Sequence, residues 1–271
     1  VLNLHEEYKA IMDMFEADNV TYPIKAFFGE LLERPRRTKA YPIALINKNI
    51  NLDQLLAINN AMKYPLAYIQ GPPGTGKTNT IINTIVTAFF NNVTVLFASY
   101  NNVPIDNVFE KLSSMKYRGK TIPFPVLRLG NTEKVMEAIK YINELRTQVQ
   151  SLQIFASTLD KRKDDRIDRA KRLSARLKEY EEILDLKERK ETLTHLMKYQ
   201  EHMKNTMKLL PFQTDLQGYQ MQKLDKRIAA IGEISDADAM QLLDRNEDEF
   251  YQYLFYTSAR YIKALEEQIG R

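Results

Sequence analysis

The sequence predicts an α/β protein: a partial parallel sheet built around a phosphate-binding loop, followed by a long, mainly α-helical coiled-coil insertion. Three observations carry this. Residues 51–132 alternate short continuous apolar runs with helical patterns, as in a parallel sheet covered on both faces. One of those runs leads directly into "GPPGTGKT", residues 71–78. From about Thr132 the pattern turns almost wholly helical, with apolar residues at alternating three- and four-residue steps.

Taken in order, residues 1–50 mix short helical patterns with prolines and the basic cluster "LLERPRRTKAYP", and form a separate N-terminal segment. The chain begins at Val1 rather than methionine, which reads as a processed or excised fragment. Residues 51–132 form a half-domain. Within it Leu66–Gln70 is expected as a buried strand, Thr80–Phe90 as a helix and Val93–Ala98 as a second strand. Asp106–Leu112 follows as a helix, and Pro125–Leu129 as a third strand.

Residues 133–271 form the insertion. Ala170, Leu173, Leu177, Tyr180 and Leu184 make a heptad seam, and Ile183, Leu186, Leu193 and Met197 continue a comparable stripe. Charges of both signs fill the gaps, as in "KRKDDRIDRAKR". Such a run suits either a nucleic-acid contact or, more commonly, the solvated face of a coiled coil. Pro211 interrupts the helix, and a second long segment opens near Ser235, whose spacing to Asp238 resembles a capping box. One helix of about fifty residues would be about 75 Å long. A helix of that length needs a partner, so an antiparallel stalk is expected.

Composition excludes several functions. Hydrophobic residues are 44% of the chain and charged residues 27%, the balance of a globular protein with a real core. There is no cysteine, so disulfides and thiolate zinc sites are ruled out, and a reducing, cytoplasmic setting is expected. His5, His195 and His202 are too scattered for a metal site. No apolar run is long enough to span a bilayer, so no membrane partner is expected. A net charge of +4 is compatible with nucleic acid but does not argue for it.

The glycine-rich stretch is more informative. Gly71, Gly76, Lys77 and Thr78 satisfy the P-loop pattern G-x-x-x-x-G-K-[ST], in the required strand-before, helix-after context. Glycines let the backbone wrap closely around phosphate with its N–H groups inward, and the following helix adds its positive end. The candidate ATP-binding set is Gly71, Pro72, Pro73, Gly74, Thr75, Gly76, Lys77, Thr78 and Asn79. Lys77 is placed to reach the β/γ-phosphates and the Thr78 hydroxyl to ligate Mg²⁺, making these two the catalytic candidates.

The residues around the loop resemble superfamily 1 helicases of the branch that includes the nonsense-mediated-decay helicase. In "NLDQLLA", Leu52, Gln54 and Ala57 hold the places of that family's Leu-Asn-x-x-Gln-x-x-Ala pattern. By resemblance Gln54 is the adenine reader, a bidentate role that a glutamine amide can perform. In "VLFASYNNVPIDNVFEKL", Asn102, Asp106, Glu110 and Lys111 match the family's nucleic-acid-contacting motif, whereas Asn101 replaces a hydroxyl residue and Pro104 an alanine. Asn101, Asn102 and Asp106 are thereby the candidate contacts to single-stranded DNA or RNA. "VLRLG", residues 126–130, resembles the family's next strand. The resemblance covers roughly residues 50–135 and implies an RecA-like motor that couples ATP hydrolysis to movement along a single strand.

One part of such a motor is missing from the sequence. A P-loop ATPase holds Mg²⁺ and positions water with an apolar strand ending in Asp-Glu, and neither "NEDEF" (246–250) nor "DDRID" (164–168) has that context. The chain therefore reads as the front section of a motor, with poor turnover by itself. Three alternatives stay open. An AAA+ ATPase would carry its acidic strand within about sixty residues of the loop. An SMC-type ATPase also separates loop from acidic partner by a coiled coil, but lacks the "NLDQ" and "NNVPIDN" pieces. The third is a nucleotide-sensing interaction protein without turnover.

Overall fold

A computed structural model describes residues 4–29, 40–46, 49–207, 214–243 and 247–269. The basic cluster at 30–39, Pro211 and Asn246 lie outside these residues. Ten helices and one two-stranded hairpin are seen among them. Helices α1 (His5–Glu16) and α2 (Tyr22–Phe27) precede α3 (Leu52–Lys63), α4 (Lys77–Phe90) and α5 (Asn102–Ser113). Then come β1 (Lys116–Tyr117) and β2 (Lys120–Thr121), α6 (Thr132–Gln150) and α7 (Ala156–Met207). Helices α8 (Thr214–Ile231), α9 (Asp236–Met240) and α10 (Glu247–Ile269) complete the order.

Helix α4 is the centre of the body. Ile82, Val86 and Ala88 bury its apolar face, while Asn83 and Thr87 are buried polar residues on the same helix. Those two serve the extended segment Pro42–Ile46. The Ala44 N–H donates to the Thr87 hydroxyl at 3.0 Å, which in turn donates to the Ala44 carbonyl at 3.2 Å. Ile46 N–H donates to Asn83 Oδ1 at 2.9 Å, and Asn91 Nδ2 donates to the Pro42 carbonyl at 3.1 Å. Side chains of the segment alternate as in a strand. Ala44 joins a core with Val86, Leu112, Phe124 and Leu254, while Ile43 and Leu45 join a second core with Leu55, Ile58, Leu173 and Leu177. The two cores thus meet along a single extended segment, assigned by sequence to the N-terminal region.

Helix α7 runs 52 residues, about 78 Å at 1.5 Å per residue. It contains no glycine or proline, and its Leu, Lys, Arg and Glu residues favour helix throughout. Its partner along the far half is α8, antiparallel, with ion pairs Glu182–Arg227 at 2.7 Å and Lys190–Asp225 at 2.5 Å. The heptad expectation is corrected in its near half. Leu173 and Leu177 pack on α3 and α9 rather than on a stalk partner, and Leu184 is exposed. A helix following a curved body cannot keep one 3.5-residue seam turned to a single partner, so the stripe is divided between two.

The expected parallel sheet is not formed as a hydrogen-bonded ladder. The described residues contain one sheet, the antiparallel β1–β2 hairpin, closed by Arg118 and Gly119 at positive φ. Leu66–Gln70, Val93–Ala98 and Pro125–Leu129 carry no strand assignment. Phe97 and Val126 pack against the body core, but Tyr68 and Leu96 are 86% and 88% exposed. Apolar runs identify segments suited to burial on two faces; they do not supply the neighbours that complete the ladder.

Arg166 fastens α7 to this body. Its side chain is buried, its guanidinium lies 4.7 Å over Phe90, 5.3 Å over Tyr253 and 5.7 Å over Phe250, and it donates to the Ile43 carbonyl at 3.3 Å. Phe90 and Tyr253 stack at 5.0 Å. Desolvated cation–π contacts of this kind contribute about 2 kcal/mol or more. Arg166→Ala is therefore expected to lower unfolding free energy by about 2–4 kcal/mol in urea denaturation, with Arg166→Lys recovering only part, because a point charge cannot serve rings and carbonyl together.

Candidate nucleotide-binding site

The loop between Gln70 and Lys77 opens α4. Gly74 and Gly76 adopt φ of +83° and +77°, values that L side chains resist, and Gly76 is the residue preceding the first helical turn. A Cβ on Gly71 would lie 2.7 Å from Thr75 Oγ1. A Cβ on Gly76 would lie 2.8 Å from Gln54 Nε2, so its backbone favours glycine and a side chain there would also move the end of Gln54. The Thr75 hydroxyl donates to the Pro72 carbonyl at 2.8 Å and tightens the turn.

Lys77 folds back over the loop. Its ammonium donates to the carbonyls of Gly71 and Pro72, both at 2.6 Å. These are carbonyls that an arriving anion would replace as partners, since a charge-assisted bond to phosphate is stronger than one to a neutral carbonyl. Thr78 is exposed in the first turn of α4, with Asn79 half-buried beside it. Pro72, Pro73 and Gly74 form the exposed crest of the loop.

Helix α3 forms the opposite wall. Its Asn51 cap and Gln54 make a reciprocal capping box: Gln54 N–H donates to Asn51 Oδ1 at 2.9 Å, and Asn51 N–H to Gln54 Oε1 at 3.2 Å. Gln54 Nε2 donates to the Thr75 carbonyl at 2.7 Å, so this side chain joins helix start to loop. The cavity between α3, α4 and the loop is about 530 Å³, lined by Gln54, Lys77, Thr80, Ile69 and Phe97 among others. A larger cavity of about 920 Å³ lies in the α7–α8 groove, far from this chemistry.

Residues of α7 and α9 hold α3 from behind. Asp236 Oδ1 accepts from Leu52 N–H at 2.7 Å, and Tyr180 donates to Asp53 at 2.8 Å. Burial, reinforced by that hydrogen bond, pushes the Tyr180 hydroxyl up to about 12. Asp236 sits at the start of α9, beside the Ser235–Asp238 capping box that sequence spacing indicates, but the helix opened there is five residues rather than the long segment expected.

The strand-contact candidates cluster elsewhere, around the start of α5. Asn101 is its N-cap, Asn102 its first residue, and Asp106 lies one turn on. Pro104 is harmless here, because first-turn N–H groups have no helical partner. Sequence reading missed Arg128. Its Nε donates to Asp106 Oδ1 at 2.8 Å, its Nη2 to Asn102 Oδ1 at 2.9 Å, and its Nη1 to the Leu129 carbonyl. A single charge inside the apolar run "PVLRL" was the available signal. No group of three or more His, Asp or Glu side chains able to hold a metal occurs among the described residues, and none of their helices is long and apolar enough to cross a membrane.

Comparison with known proteins agrees with this geometry. Residues 49–242 match the AAA domain family AAA_11, and the chain belongs to that family. Mouse DNA-binding protein SMUBP-2 is 34% identical over 101 residues, 37% of this chain and 10% of that protein. The DNA polymerase alpha-associated DNA helicase A of Schizosaccharomyces pombe is 32% identical over 98 residues, 36% of this chain and 14% of that protein. An uncharacterized ATP-dependent helicase of Methanocaldococcus jannaschii is 30% identical over 144 residues, 50% of this chain and 21% of that one. The chain thus spans about a tenth to a fifth of the length of these relatives. No solved structure matches it significantly. Family and relatives together define a superfamily 1 helicase-like domain, as the motifs implied.

The two positive-φ glycines can be separated by substitution. Gly74→Ala, which meets open space, should cost only the left-handed backbone penalty of about 1–2 kcal/mol. Gly76→Ala should cost the same backbone penalty plus the exposed Gln54–Thr75 hydrogen bond, because the end of the Gln54 side chain swings away from the new methyl. Equal losses in chemical denaturation would show that this bond does not brace the loop.

Proposed function

We propose that this chain is the ATP-binding front section of a DNA or RNA helicase motor that couples ATP hydrolysis to movement along a single strand. The carrying observation is the loop Gly71–Thr78, opening buried α4 opposite Gln54 of α3. Residues 51–132 form the RecA-like half-domain and 133–271 an accessory helical insertion, with 1–50 leading in. In this reading Leu66–Gln70, Val93–Ala98 and Pro125–Leu129 are strands of a parallel sheet whose remaining neighbours belong to the whole motor.

The cradle fits a triphosphate in shape and charge. Backbone N–H groups from Gly74 to Thr78 surround the phosphates, Pro72 and Pro73 having none to offer, and Lys77 leaves the Gly71 and Pro72 carbonyls to meet them. Bound ATP supplies the phosphoanhydride whose cleavage drives movement. The Thr78 hydroxyl is positioned to ligate Mg²⁺, and Asn79 lies beside it in the same turn. Gln54 reads adenine by exchanging its bonds to Asn51 and Thr75 for the base edge. Asn101, Asn102 and Asp106 face the single strand, which binds through uncharged amides and backbone donors. Such contacts position a strand without reading its sequence.

Two measurements test this. A fluorescent ATP analogue should bind the chain, and Lys77→Ala should weaken it by about tenfold or more. Turnover should stay near background because the sequence carries no apolar strand ending in Asp-Glu to hold Mg²⁺ and position water. Robust turnover lost on Lys77→Ala would overturn the incomplete-motor reading. In calorimetry, Gln54→Ala should penalise ATP over CTP by about 1–3 kcal/mol. Equal losses for both bases would remove Gln54 from base recognition.

A further inference from the structure

We propose that Arg128 is a positioning residue for the strand-contacting end of α5, not itself a phosphate ligand. The inference rests on the proposed placement of the single strand at Asn101–Asp106. Arg128 is the one charged side chain in residues 123–130, and only 11% of it is exposed. Its guanidinium fork reaches three acceptors: Asp106 Oδ1 at 2.8 Å, Asn102 Oδ1 at 2.9 Å and the Leu129 carbonyl. Asp106, 52% exposed at its side chain, neutralises the cation from the solvent side.

This arrangement has a directional consequence. Arg128 donates to Asn102 Oδ1, which turns the amide oxygen toward the guanidinium and leaves the Nδ2 group to donate outward. A donor facing out suits a phosphate oxygen; an acceptor there would repel one. The fork also ties the first turn of α5 to the segment Pro125–Leu129, across 26 residues of sequence. Lysine has the charge but not the fork, and cannot hold Asn102 and Asp106 together.

The test uses the full chain and a fluorescein-labelled single-stranded oligothymidylate, read by anisotropy over a salt series. Arg128→Lys and Arg128→Gln should both weaken binding about fivefold or more, with affinity for a fluorescent ATP analogue unchanged. The slope of log affinity against log salt should stay as in the parent, because no phosphate-bound charge has been removed. If Arg128 instead bound phosphate, Arg128→Lys would retain affinity and Arg128→Gln would flatten the slope by about 0.7. That result overturns the proposal. Asp106→Asn, at a half-exposed position, gives an independent arm: it uncovers the guanidinium and should steepen the slope. An unchanged slope there would also count against a neutralised pair. Asn102→Ala separates the two levels. Weakening by Asn102→Ala without weakening by Arg128→Lys rejects the positioning role alone. No effect of either rejects the strand placement, and the positioning role with it.

Discussion

The body depends on how α4 satisfies a backbone that no sheet satisfies. Pro42–Ile46 is buried and extended, yet it has no ladder partner among the described residues. Buried backbone groups without partners cost about 1–3 kcal/mol each. Here helix side chains take the place of a strand: Thr87, Asn83 and Asn91 from α4 and its cap, Arg166 from α7 and Tyr251 from α10. Each partner fixes an element at a definite height along the segment. The two cores can then share one extended wall whose Ala44 and Ile46 backbone groups are bonded by helix side chains.

That fixed helix sets the site. The first turn of α4 sits where the glycine loop delivers it, and α3 is held opposite by Leu55 and Ile58 in the second core. Asp236 and Tyr180 hold the start of α3 from the insertion side. The wall carrying Gln54 is therefore built partly by residues nearly 130 and more than 180 positions further on. Helices α7 and α9 are thereby joined to the wall of the candidate pocket, whereas the α7–α8 end is held by its own pairing and ion pairs.

Local chemistry was legible in the sequence. The glycine loop, α4 and the Ser235–Asp238 cap follow from residue types whose backbone demands are strong and short-range. Helix α5 begins at Asn102, four residues before the expected Asp106, and Pro104 stands in its first turn, where a missing N–H is tolerated. The β1–β2 hairpin was missed, though Arg118–Gly119 offered its turn. Long-range pairing was not legible. Apolar runs at Leu66–Gln70 and Val93–Ala98 mark strand-like segments but cannot name their neighbours, and the repeat around Leu173 cannot say which helix receives it. Asn83 and Thr87 carry no local signal of their role, since only the packed structure brings Pro42–Ile46 beside them. Arg128 escaped for a similar reason: its meaning lies in Asn102 and Asp106, more than twenty residues earlier.

Hydrogen exchange of the free chain and of the chain saturated with Mg·ATP tests the phosphate cradle most directly. Amides from Gly71 to Thr80 should exchange more slowly with nucleotide, because their N–H groups then face phosphate oxygens rather than water. Slower exchange should extend to the first turn of α3 as Gln54 engages the base, while the α7–α8 end stays unchanged. Nucleotide binding that leaves the Gly71–Thr80 amides exchanging at the free rate would contradict the assignment, whatever other segment became protected.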